Sequence, residues 1–278
     1  MMTQQAYFQK SNPIANTVEL NQKLSKDHFN GTEDLEINSI TFQERKGKLC
    51  YLHTVADVAK CEDLFFKYDY EVPFQEEAIE IDGVMIEKIK YIEDLYKALV
   101  DGKCVLLIEK EAYAFDTPIE MNRPPEEPDT EKTVRGSHVG FIEDLTTNLH
   151  LIRGRIKNEQ LKIKYITVGV RTNQKIAIIF MNDLANQETV KEIEKRISSI
   201  KIDMVFAPGF IEEFIEEHPF SPFPQNLYTE RPDRVESHLM EGRIALLCDN
   251  SADAIILPVS FFSFFQSPDD YNSRSYTS

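Results

Sequence analysis

LVDGKCVLLIEKEAYAFDTP, running from Leu99 to Pro118, returns 140 residues later as LMEGRIALLCDNSADAIILP, from Leu239 to Pro258. The two segments share the leading Leu, a Gly, the Leu-Leu pair, two Ala and the closing Pro, and most other pairs are conservative. An earlier match sets Leu35–Thr41 (LEINSIT) against Leu161–Thr167 (LKIKYIT), at an offset of 126. After one inserted residue it continues through Lys48–Leu52 against Lys175–Ile179, and Asp57-Val58-Ala59 then meets Asp183-Leu184-Ala185. Two colinear matches point to a tandem duplication whose period is the length of a domain, too long for a solenoid repeat.

The element order is clearest in the second copy. Ile142, Leu145, Leu149, Ile152 and Ile156 recur at helical spacing, with Arg153 and Arg155 in the last turn, where cations complement the helix dipole. Strands follow at about 161–170 and 175–181 around the polar Thr172-Asn173 turn. The next helix turns Val190, Ile193, Ile197 and Ile200 inward, with Asn186 as its N-cap. A short helix from Gly209 to Glu217 stops before Pro219, a third runs near 232–241 and ends at Gly242, and strands close the copy at about 243–249 and 253–259. The first copy is expected to lack most of the short helix. Strands that come in adjacent pairs as well as after helices predict an α/β (α+β-like) fold of two tandem, similar subdomains with mixed sheets. The expected boundaries are 1–120, a Pro- and acid-rich linker at 121–140, a second subdomain at 141–265 and a polar tail at 266–278.

Composition narrows the function. A net charge of −16 argues against nucleic acid and against adsorption to an anionic membrane surface, since both need clustered Lys and Arg. No apolar run approaches the roughly 18 residues of a bilayer span. Met1–Asn16 has neither a basic nor an apolar signal-peptide region. The cysteines at 50, 61, 104 and 248 show no paired spacing, which predicts buried, reduced thiols in a cytoplasm-like compartment. The six histidines form no HExxH or HxH pattern, and no phosphate-binding glycine loop or nucleophile elbow is present. Neither a cofactor nor a metal is expected, and no residue is assigned a catalytic role.

Three groups stand out as candidate interface or signalling residues. Glu230 and Arg231 sit in the block YTERPD, 228–233, where Pro232 suits the first position of a helix and Asp233 its positive end. Arg153 and Arg155 form the basic helix end. Phe261, Phe262, Phe264 and Phe265 make either a packed terminal element or an aromatic contact collar.

The blocks from Gly136 to Asp270 also carry a resemblance. Gly140–Leu145 (GFIEDL), Thr147-Asn148-Leu149, Ser221–Gln225 (SPFPQ), Tyr228–Asp233, Glu241-Gly242-Arg243 and Phe264–Tyr271 (FFQSPDDY) resemble, in order, the N-terminal region of A subunits of GerA-type spore germinant receptors. Ser137-His138-Val139 and Gly154 depart from the family pattern. The resemblance implies a receptor subunit of the spore inner membrane that works with B and C subunits, with self-association of A subunits as a further expectation. The residues here would face the spore core, and 266–278 would lead toward the membrane-spanning part. The family pattern supplies no catalytic residue. Assembly and signal transmission are the expected role; the alternative is a small-molecule module with its ligand in a cleft between the two subdomains.

Overall fold

The computed structural model describes residues 12–68, 77–120, 139–203 and 226–258. The linker expected at 121–140 (all but its last two residues), the helix expected at 209–217, the SPFPQ block and Phe261–Phe265 lie outside these residues. The chain divides into two compact units: Met1–Asn30 with Asp34–Glu120, and Gly31–Glu33 with Met121–Ser278.

The first unit contains α1 (Val18–His28), β1 (Leu35–Phe42), β2 (Arg45–Leu52), α2 (Val58–Tyr68), β3 (Ala78–Ile81), β4 (Val84–Ile89), α3 (Ile92–Val100), β5 (Cys104–Ile108) and β6 (Glu111–Phe115). Its sheet order is β1-β2-β5-β6-β4-β3. The second contains α4 (Leu145–Arg155), β7 (Leu161–Val168), β8 (Gln174–Met181), α5 (Gln187–Ser198), β9 (Leu227–Thr229), α6 (Pro232–Met240), β10 (Ile244–Cys248) and β11 (Ala254–Leu257), in the order β7-β8-β10-β11-β9. Among the described residues the two orders are the same once β3 is set aside. Within the second unit, Glu33 N donates to Ile163 O (2.8 Å) and Ile163 N to Thr32 Oγ1 (3.0 Å), so Gly31–Glu33 covers part of the outer edge of β7.

Each sheet is covered on both faces. Leu95 and Leu99 of α3 pack with Cys50, Leu52, Val105 and Leu107 on one face of the first sheet. Cys61, Leu64 and Phe65 of α2 meet Leu49, Tyr51, Leu106 and Phe115 on the other. In the second unit α4 and α6 lie over Ile163, Ala177, Ile179 and Ala245, while Val190, Ile193 and Ile197 of α5 lie over Ile176, Ile178, Phe180 and Leu246. Strands covered on both faces cannot alternate polar and apolar residues, which is why β5 (CVLLI) and β10 (IALLC) are buried at every position.

The α/β class holds, but the sheets are not mixed. Among the described residues all strand pairings are antiparallel. The helical crossovers through α3 and α6 join strands that run the same way, β4 to β5 and β9 to β10. In each case the hairpin partner, β6 or β11, is inserted between them, so the parallel strands never share a ladder.

The register also corrects the alignment of the copies. Phe42 pairs with Arg45 around a two-residue Gln43-Glu44 turn, both with positive φ (49° and 61°), whereas Val168 pairs with Gln174 around the five residues Gly169–Asn173. Three residues are inserted here rather than one, and Asp57 is matched by Asn186 rather than by Asp183. Asn186 caps α5 through Glu188 N (2.8 Å), as Asp57 accepts from Lys60 N (3.0 Å) at α2. The long match has a similar slip: Leu107 pairs with Ala112 but Leu247 with Ala254, so the offset of 140 ends with β10 and two further residues enter the turn. A two-residue shift keeps each side chain on its face of the sheet, and apolar residues still fall opposite apolar ones.

Hydrogen bonds trace the same equivalence. Asn148, fully buried, accepts from Ile142 N (2.9 Å) and donates to Ile142 O (2.5 Å) and Ser251 O (3.5 Å). Asn21, also fully buried, accepts from Ala15 N (2.8 Å) and donates to Ala15 O (2.9 Å). Each asparagine, at the fourth residue of its unit's first helix, folds the preceding chain back onto that helix. One residue earlier, Phe141 N donates to Glu230 O (2.7 Å) and Ile14 N to Lys90 O (3.0 Å). Gly102 and Gly242 end α3 and α6 with φ of 86° and 80°, and an added Cβ would lie 2.9 Å from Val55 O or 2.7 Å from Leu184 O.

Candidate functional site

The block YTERPD forms the junction of β9 with α6. Thr229 ends β9, Arg231 takes the N-cap position in an extended conformation, and Pro232 begins the helix where no backbone donor is needed. Thr229 Oγ1 accepts from Arg231 N at 3.2 Å. The Arg231 guanidinium forks onto the Asp233 carboxylate, Nε to Oδ1 at 3.0 Å and Nη2 to Oδ2 at 2.5 Å. Asp233 Oδ1 also accepts from Arg234 N (2.9 Å), and its charge sits at the positive end of the helix. Arg231 is 1% exposed.

Arg153 is buried as completely. Its Nη1 donates to Leu161 O (3.0 Å) and Asn158 O (3.3 Å), tying the end of α4 to the start of β7. Arg155, two residues on, is exposed, and its Nε reaches Glu236 Oε2 of α6 at 2.7 Å. Glu230 is half-buried, with its carbonyl engaged by Phe141. At the far end of α6, the fully buried His238 faces Glu241 (Nδ1 to Oε2, 3.4 Å), which also takes Arg243 Nη2 at 3.1 Å. Burial above all, and then the Arg243 charge, push His238 down to about 4, so it is neutral at pH 7 despite the opposing pull of Glu241.

The structure therefore separates the sequence candidates. Arg231 and Arg153, expected as candidate interface or signalling residues, are interior groups of the second unit. Arg155 and Glu230 remain accessible around the junction of α4 with α6. The four phenylalanines lie outside the described residues. The adjacent pair Arg231 and Asp233 flanking a helix-starting proline was the signal for a local fork. Asn148 sat in plain view in the TNL block, but its role depends on the fold-back of residue 142. Chemically this is an organising network, with carboxylates and guanidinium groups engaged with one another. All four thiols are buried and free; burial pushes Cys50 and Cys248 up to about 12, while a hydrogen bond from Cys61 holds Cys104 below the usual thiol value.

Comparison with known proteins agrees with this architecture. The model of the Bacillus/Clostridium GerA spore germination protein family matches residues 22–278. Spore germination protein B1 of Bacillus subtilis (strain 168) is 43% identical over 192 residues, covering 68% of this chain and 39% of that protein. Stage V sporulation protein AF of the same organism is 32% identical over 249 residues, covering 86% and 50%. Spore germination protein A1, also from that strain, is 37% identical over 196 residues, covering 70% and 41%. The chain thus spans half the length or less of these three relatives. The crystal structure of the N-terminal domain of the A subunit of the Bacillus megaterium spore germinant receptor GerK3 shares the fold. Its TM-score is 0.67 at 22% identity, over 91% of this chain and 99% of that one.

Proposed function

The chain belongs to the GerA spore germination protein family, and from that premise we propose that it is the N-terminal module of a germinant-receptor A subunit, serving receptor assembly and transmission of the signal that starts germination. The observation that carries the reading is the family match across residues 22–278, to which the likeness in fold to a receptor A subunit's N-terminal domain adds. The module's partners are the B and C subunits and other A subunits. It faces the spore core and meets the membrane only through spans beyond these residues. Its role is not catalytic: the charged groups around α6 hold one another in place, and the four thiols are free and buried.

The reading is tested by removing codons 12–258 from the gene in its spore-forming host while leaving the rest in frame. Nutrient-triggered loss of optical density is then compared with the amounts of the partner subunits in the inner-membrane fraction. Loss of the nutrient response together with lower partner levels is expected. Spores that germinate at the parental rate with full partner levels would overturn the reading.

A further inference from the structure

The two matched units differ in kind beside α3 and α6. In the second unit Leu227, His238 and Ile256 are 6%, 0% and 0% exposed and fill the space between α6 and the sheet. The strand registers and helix ends place Glu87, Ala98 and Ala114 at the same three positions of the first unit. A carboxylate and two methyl groups stand where the other copy has a leucine, an imidazole and an isoleucine. Beside those three residues lies a groove of about 520 Å3 between α3 and the paired ends of β3 and β4.

The groove has a small apolar floor, Ile89, Ala98 and Ala114, and charged walls. Lys90 pairs with Glu77 (2.5 Å) ahead of the first turn of α3, and Lys103 with Glu87 (2.7 Å) beyond its last. Asp94 and Lys97 line the groove from the helix itself, and Tyr91, 42% exposed, stands at one end. Four lysines and four acidic residues line it in all, so neither a simple anion nor a simple cation meets a matching field. The Lys90–Glu77 pair is largely exposed and adds little to stability, while Lys103–Glu87 is half-buried, so a guest bearing both signs can exchange its own charges for the outer pair. The nine residues of α3 make the groove about 14 Å long at the usual helical rise. That length suits roughly four residues of extended chain at about 3.3 Å each.

We propose that this groove docks a short extended segment of a partner protein, with an acidic and a basic side chain near each other. The site goes beyond the family reading and does not depend on it. The duplication itself supplies the test, because the second unit carries larger residues at the matched positions. A displayed library of random hexapeptides is selected on the purified 278-residue chain, and the recovered peptides are titrated by fluorescence anisotropy. The comparison proteins are Ala98→His/Ala114→Ile, which narrows the groove at its floor, and Asp94→Lys/Lys97→Glu, which reverses two exposed wall charges. Mixed-charge peptides that lose at least tenfold in affinity on both variants are the expected result. Should the narrowed variant not fold, the wall reversal alone decides. Recovery of no peptide that discriminates the parent from the variants would overturn the proposal. So would displacement of wall-residue resonances by the small zwitterion 6-aminohexanoate alone, which would reassign the groove to a small molecule.

Discussion

Exchanging Asn148 for aspartate changes one atom of a side chain whose three hydrogen bonds all go to main chain. Its Oδ1 accepts from Ile142 N at 2.9 Å, while Nδ2 donates to Ile142 O at 2.5 Å and to Ser251 O at 3.5 Å. With alanine the peptide of residue 142 loses both partners. At about 1–3 kcal/mol for each buried group left unsatisfied, the cost is about 3 kcal/mol. Aspartate keeps the acceptor but turns a second oxygen toward two carbonyls and buries a charge in a fully enclosed position. Its cost at pH 7 is therefore at least that of alanine, about 3–5 kcal/mol. The aspartate also predicts a pH signature: burial raises the carboxyl pKa in the folded state, so folding takes up a proton and the variant recovers stability as pH falls. A protonated carboxyl can again donate to Ile142 O. Urea unfolding from pH 7 to pH 4.5, with hydrogen exchange read at the peptide containing residues 139–149, measures both effects. A drop of about 10 °C in the melting transition of the affected unit is the thermal equivalent. If Asn148→Asp matches the parent at pH 7, or Asn148→Ala costs under about 1 kcal/mol, the clamp is not what holds the lead-in. Asn21→Ala should cost nearly as much in the first unit, through its two bonds to Ala15.

Other consequences are simpler to state. His238, held down to about 4 in the folded state, takes a proton in the unfolded chain near pH 6.5, so its contribution is complete above that pH and is lost as pH falls toward 4. The loss is about 3 kcal/mol, and His238→Gln should flatten that part of the stability-against-pH curve; an unchanged slope would refute the assignment. Arg231→Glu buries a carboxylate beside half-buried Asp233 and should lower stability by about 3–5 kcal/mol, with partial recovery in Arg231→Glu/Asp233→Arg; a fully folded single variant that fails only in partner binding would contradict this. Gly102→Ala and Gly242→Ala each force a methyl against a carbonyl oxygen at positive φ, and both should cost more than about 1 kcal/mol by denaturation.

The duplication was legible because its strongest segment covers β5 and β10, central strands buried on both faces and thus written as unbroken apolar runs. Helix ends were legible for a similarly local reason: Asn186, Pro232 and Gly242 act on backbone groups a few residues away. Turn lengths were not. Turn residues carry no strand periodicity, so residue matching slid across the insertions at Gly169–Asn173 and 249–253, and the even shift in the second turn left the apolar pattern intact. The antiparallel character of the sheets was likewise invisible, since a helix between two strands leaves unsaid whether a third strand is threaded between them.

The amino-acid order by itself determined the class of fold, the repeated plan and the family resemblance, because periodicity, caps and motif blocks are properties of neighbouring residues. Tertiary structure alone decided the rest: that Arg153 and Arg231 lie inside while Arg155 lies outside, that Asn21 and Asn148 clamp chain six residues upstream, and that Ala98 and Ala114 floor a groove while the matched His238 and Ile256 are buried. Burial and empty volume belong to groups brought together from distant parts of the chain, and each depends on what the other side of the contact supplies.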